Sequence, residues 1–124
     1  MTTFIQDLRT YLIAQGLMTS TDTLEYYDEA TTTDLICLRQ YDSNPDIGRI
    51  SVQFLCRNSS IPTAQSKLNA IYSHFFDVYN PKLVTKTIGT TKCKFKPLTT
   101  ATFLKKVNTQ FYYVMNMEIW KQKI

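Results

Sequence analysis

Few side chains in this 124-residue chain are of a type and spacing that could do chemistry. His74 is the single histidine, and no spacing places a carboxylate or nucleophile to orient it. It reads as a half-exposed structural side chain flanking a helix face. Cys37, Cys56 and Cys93 are odd in number, far apart and without a CxxC pair. They read as reduced, buried thiols acting as small apolar residues, and with one histidine they match no zinc spacing. Gly16, Gly48 and Gly89 are the only glycines, so neither GxGxxG nor a phosphate-binding loop can be built, and GxSxG is absent too. No cofactor is expected. Glu25, Asp28, Glu29 and Asp34 cluster in sequence, but no period fixes two of their carboxylates together, and a solvated acidic loop is expected.

The lysines are more suggestive. In KCKFK, Lys92, Lys94 and Lys96 alternate with Cys93 and Phe95, which puts the three ammonium groups on one face of a strand. Lys105 and Lys106 follow in what reads as a loop. Such a row could touch phosphates. It could equally guard an edge strand against stray pairing. No aromatic residue interleaves on the lysine face itself, as a stacking platform for single strands would require.

Charge is unevenly divided. Residues 1–81 hold five basic and nine acidic side chains, a net −4, whereas residues 82–124 hold nine lysines against Glu118, a net +8. Two surfaces of opposite sign suit head-to-tail association as well as an anionic partner. The aromatic share of 13% is high, and aromatics serve interfaces as well as cores.

The elements that must position these residues are legible by period. Phe4 to Gln15 forms a helix, with Thr3 and Gln6 as a capping box and Gly16 as its stop. Phe4, Ile5, Leu8, Tyr11 and Leu12 share its apolar arc, and Ile13 lies on the opposite side. Residues 17–33 lack a period and form a loop with at most a short strand near Leu24 to Tyr27. Asp34 to Tyr41 and Arg49 to Arg57 are strands joined by DSNPDIG, whose Pro45 and Gly48 supply turn chemistry. Ile50, Val52, Phe54 and Cys56 face one way and Ser51, Gln53, Leu55 and Arg57 the other, the pattern of a half-covered antiparallel sheet.

A second helix begins at Ser59 or Ser60, with Pro62 in its first turn. It buries Ala64, Leu68, Ile71, Tyr72, Phe75 and Tyr79 and ends at Asn80-Pro81. Leu83 to Ile88 and Lys92 to Lys96 are strands, residues 97–110 a loop, and Phe111 to Trp120 the longest strand, apolar on both faces. Such a strand is either central and covered twice or half covered by another chain. The expected fold is one α+β domain over residues 1–124: a mixed, mainly antiparallel sheet of four to five strands, with two helices on one face, in the order α-β-β-α-β-β-β.

Four pieces in that order carry a resemblance: a first helix closing on Gly16-Leu17, the strand DLICLRQYDSNPD, ISVQFLCRN running into the second helix, and the terminal strand FYYVMNMEIW. Together they resemble the minor capsid and tail-terminator (tail-completion) proteins of long-tailed, siphovirus-type bacteriophages. One departure is that Leu104 to Gln110 has neither the Gly nor the Arg that such proteins often carry before the last strand.

The resemblance implies a non-enzymatic virion protein, assembled in the host cytoplasm, that caps the head-proximal end of the tail tube. Its implied form is a six-fold ring that stops tube growth and meets the head connector. Implied partners are further copies of the chain, the tail-tube protein, the connector protein and, in passing, DNA. Loops at 17–33, 42–48 and 97–110 are expected to order on docking. Lys92, Lys94, Lys96, Lys105, Lys106, Asp42, Asp46 and Arg49 are the candidate interface or lumen residues. The alternative is a small basic domain that binds nucleic acid or serves a nucleic-acid machine. No membrane span is expected, because no run of about 18 apolar residues exists. Asp7 and Arg9 interrupt any signal-peptide core, so residence in the cytosol of the producing cell is expected.

Overall fold

A computed structural model describes residues 3–44, 48–76 and 84–122. Helix α1 runs Phe4–Ala14. Thr3 accepts from the Gln6 amide while the Gln6 side chain accepts from the Thr3 amide, which closes the expected capping box. Gly16 stops the helix at φ +74°, a conformation costly for any residue with a Cβ. The expected arc packs on the core, and so does Ile13, which is half-buried rather than facing away. The chain bends back past the helix end, with the Leu17 and Met18 amides both donating to the Leu12 carbonyl.

Among the described residues seven strands form one mixed sheet: β1 Thr23–Leu24, β2 Leu35–Asn44, β3 Arg49–Asn58, β4 Val84–Ile88, β5 Thr91–Pro97, β6 Thr102–Val107 and β7 Gln110–Lys121. Helix α2, Ile61–His74, follows β3. The α+β class is as expected, but there are seven strands rather than four or five, in the order β1-β2-β3-β7-β5-β4 with β6 also on β7. Among the described residues only β1 and β2 pair in parallel, and every other pairing is antiparallel.

The two strands beyond the expected five are β1, which falls at the start of the stretch where a short strand is allowed for, and β6, which is not expected. The β6 sequence reads as a loop because the register skips Leu104, and that bulge breaks the alternation by which strands are recognised. Asn108, at φ +55°, makes the two-residue turn that folds β6 onto β7. β5 and β6 therefore lie along the same edge of β7 as two parts of one long run, interrupted at residues 98–101. Lys105 and Lys106 sit on a strand, not in a loop.

Both helices press on one sheet face. Leu8 and Leu12 of α1 and Ala64, Leu68 and Ile71 of α2 join Val52, Phe54, Phe95, Met115 and Ile119 in the main core. Large side chains buried this way contribute about 1.5–3 kcal/mol each, far more than helix propensity. Ser60 caps α2, which ends at His74 with Phe75 as its last, buried cap. The expected continuation through Tyr79 to Asn80-Pro81 lies outside the described residues, as do Leu83 and the turn residues Pro45 and Asp46. Gly48, at φ +68°, accepts from the Lys121 amide at 2.9 Å. A Cβ there would fall 2.8 Å from the Lys121 carbonyl oxygen, so this close approach requires glycine.

Candidate interaction surface

The sheet face opposite the helices is not simply open. Leu55 and Arg57, expected to face solvent, are buried, and Leu35, Cys37, Leu55 and Tyr112 form a second core cluster with Tyr27 and Val114 packed against it. The cover is a strap, residues 25–34, and Arg57 holds it. The fully buried Arg57 guanidinium donates to the Thr33 carbonyl at 2.9 Å, the Asp28 carbonyl at 2.8 Å and Thr31 Oγ1 at 3.0 Å. The Tyr27 ring lies 5.5 Å from it. Gln110, also buried, donates to the Thr32 carbonyl and to Asp34 Oδ1. Segment 17–33 is thus anchored rather than a loose loop, because a buried arginine must place its donors on acceptors and the strap backbone supplies them.

Beyond the strap the same face is polar. The Arg39 guanidinium donates to the Gln53 amide oxygen, and the Gln53 amide nitrogen donates to Asn116 Oδ1 at 3.2 Å, a row crossing β2, β3 and β7. Farther along, Lys92, Lys94 and Lys96 are exposed while Cys93 and Phe95 are fully buried, as the alternation requires. Lys96 stands in register with Glu118 and Lys94 with Trp120. Trp120 therefore places an aromatic ring beside the lysine row, supplied by the neighbouring strand. Sequence alternation within one strand could not show it.

The other candidates are dispersed. Lys105 Nζ lies 3.0 Å from Glu29 Oε1 and 4.9 Å from the Tyr112 ring centre. That ion pair lowers the Glu29 carboxyl and raises the Lys105 ammonium from their ordinary values. Lys106 lies over the Phe111 ring at 5.2 Å. Asp42 and Arg49 pair with each other at 3.1 Å across the β2–β3 hairpin. Asp46 lies outside the described residues. The seven described candidates do not converge on one spot.

The sheet has two contrasting borders. At β2, Asp22 Oδ1 accepts from the Ile36 amide at 2.8 Å and Glu25 Oε1 from the Gln40 amide at 3.1 Å, on either side of the short β1 pairing at Cys37 and Leu38. A register shift at Tyr41 bends the strand beyond. Glu25 is in the left-handed region, φ +64°, unusual for a residue with a Cβ, and it turns the chain from β1 into the strap. At β6, by contrast, one side pairs with β7 and no strand covers the other among the described residues. Phe103 and Leu104 there are 54% and 49% exposed, with Leu98 and Val107 also open. Sequence does not mark Asp22 and reads Glu25 only as part of a solvated acidic loop, because the role of both is set by where the strap crosses the sheet.

The thiols are inert in this setting. Burial pushes Cys56 up to about 12 and Cys93 up to about 11, and it raises Cys37 as well. All three are free and buried. His74 Nε2 lies 2.7 Å from the Tyr11 hydroxyl, and burial with nearby Lys86 holds its pKa below the usual histidine value. Among the described residues no helix is long and apolar enough to cross a membrane. No protein-family model matches the chain, and no curated protein matches it.

Proposed function

We propose that this chain is a non-enzymatic assembly protein that closes into a ring, and that the ring caps the head-proximal end of a bacteriophage tail tube and joins it to the head connector. The observation that carries an assembly role is the pair of unlike borders on one sheet: one shut by its own carboxylates, the other left with open apolar and lysine side chains. A heterologous ring needs two different, complementary faces on one protomer. The tail placement rests on the resemblance of the four sequence segments. It carries the six-fold count, the tail-tube and connector partners, the virion location and DNA passing through the lumen.

Light scattering on the purified chain, across concentration and salt, tests the assembly role. A defined ring, six-fold by microscopy, is the expected outcome. A strict monomer that turns over a small molecule would overturn it.

A second reading has its own observation. The exposed row Lys92, Lys94 and Lys96 lies beside half-buried Trp120, and lysines with an aromatic ring suit a nucleic-acid strand. A monomer with salt-sensitive DNA affinity, lost in Trp120→Ala, would favour it.

A further inference from the structure

We infer that copies of this chain join head to tail, the β6 border of one seating against the cleft beside the strap of the next. This inference rests on the ring reading above and specifies its contact. The contact residues stand on opposite sides of the sheet: Tyr26 follows Glu25, which is bonded to β2, and Leu104 is on β6, with β2, β3, β7 and β6 successive neighbours, three strand spacings or about 14 Å across; between them the cleft runs to Glu29, which pairs with Lys105 of β6. Opposite placement is what propagation around a ring demands.

The two surfaces are complementary in both charge and polarity. A cleft of about 490 Å³ is lined by Glu25, Tyr26, Tyr27, Asp28, Glu29 and Arg39 among others. Arg39 donates to the neutral Gln53 amide and keeps its charge, and Glu29 pairs with Lys105, so the cleft carboxylates without an ion pair among the described residues are Glu25 and Asp28, beside the aromatic Tyr26. Tyr26, directly after left-handed Glu25, is 74% exposed, the most open large apolar side chain among the described residues. On β6, Lys106 contacts the Phe111 ring and no carboxylate among the described residues, and Leu104 sits at the bulge. A bulge re-aims a side chain out of the sheet's regular alternation. Leu104 and Phe103 of one copy enter the cleft against Tyr26, and Lys106 meets Glu25 or Asp28.

The contact is made by side chains rather than by sheet extension into β2. The Ile36 and Gln40 amides that a new strand would need are already bonded to Asp22 and Glu25.

Two exposed positions test this. Tyr26→Glu breaks only the cleft and Leu104→Glu only the β6 border, each by placing a charge in the apolar contact; the two altered surfaces carry the same sign and do not pair with each other. Light scattering on each variant alone is expected to show monomer where the natural chain assembles. An equimolar mixture is expected to stop at a dimer, because one intact cleft meets one intact border and nothing further can add. Circular dichroism melts confirm that each variant is folded. If the natural chain assembles and either variant assembles equally well, the contact is wrong while the ring reading survives. A mixture that stays monomeric overturns the head-to-tail pairing. A natural chain that is monomeric at every concentration removes the ring reading and this contact together.

Discussion

The β2 and β6 borders are made of the same backbone but finished differently. An edge strand exposes unpaired amides and carbonyls, and natural sheets blunt such edges to avoid unwanted pairing. At β2 the blunting is thorough: a two-residue strand, two carboxylates bonded to backbone amides, and a bend at Tyr41. At β6 the only devices are a bulge and two lysines, set among exposed Phe103, Leu104 and Val107. A chain that spends Asp22 and Glu25 on closing one border, yet leaves apolar groups on the other, has a use for the open one.

Closure at β2 depends on the strap, and the strap on Arg57, so the largest effect is expected there. Arg57→Ala should cost about 3 kcal/mol or more, since it removes buried packing and leaves the Thr33 and Asp28 carbonyls without their donor. Urea unfolding measures the loss, and amide exchange should show residues 25–34 opening before the main core. Equal stability in Arg57→Ala would mean the strap does not hold the β2 side. Asp22→Ala comes next, at about 2 kcal/mol. Its buried carboxylate accepts from both the Thr19 and Ile36 amides, at 2.8 Å each. The freed Ile36 amide should also exchange faster, and the variant should self-associate through β2. If the Ile36 amide stays protected, the edge is closed by something other than Asp22.

How much of this contrast sequence could show depends on the range of the forces involved. Local signals were legible: the Thr3–Gln6 box, the Gly16 stop, the alternation around Cys93 and Phe95, and the β2–β3 hairpin all depend on neighbours along the chain. The double burial of Tyr112 and Val114 was readable only as two alternatives, and β7's central place with the strap above it decides between them. What sequence missed was long-range. Arg57 looked like an outward charge because its partners are 24 to 29 residues away. β6 was hidden by one skipped residue, and Trp120 reaches the lysine row only through the β5–β7 register. Of the candidate residues, alternation places the three β5 lysines on a strand with their side chains exposed, as in the structure, whereas Lys105 and Lys106 read as loop residues and lie on β6.

The lysine row separates binding from folding on the open side. Lys94→Glu should change stability by no more than about 0.5 kcal/mol, being exposed and facing Trp120. Lys96→Glu puts two carboxylates directly across from each other, at Glu118, and should cost up to about 1 kcal/mol. Melting of the two variants side by side checks the order. The reverse order would mean Lys94, not Lys96, carries a structural contact. Assembly weakened equally by both, despite unequal stability, would place the lysine row in the interface.

The smallest expected effect lies where the two sides meet, at Glu29 on the strap and Lys105 on β6. The folded pKa of Glu29 is lowered, first by its hydrogen bond with Lys105, so its contribution is present above the unfolded value near 4.3 and is lost as pH falls through the folded one. Lys105 is raised, first by that same bond, so its contribution is present below about 10.4 and is lost as pH rises through the folded value. Between those limits the pair is intact. Because both groups are solvent-exposed, screening keeps its worth small, and Lys105→Gln should barely move the melting temperature at neutral pH. The sensitive readout is an NMR titration of the Glu29 carboxyl, whose midpoint should rise toward the ordinary glutamate value in Lys105→Gln. An unchanged midpoint would mean that the strap and β6 are electrostatically independent, and that the cleft mouth keeps its full acidity whatever happens on the open border.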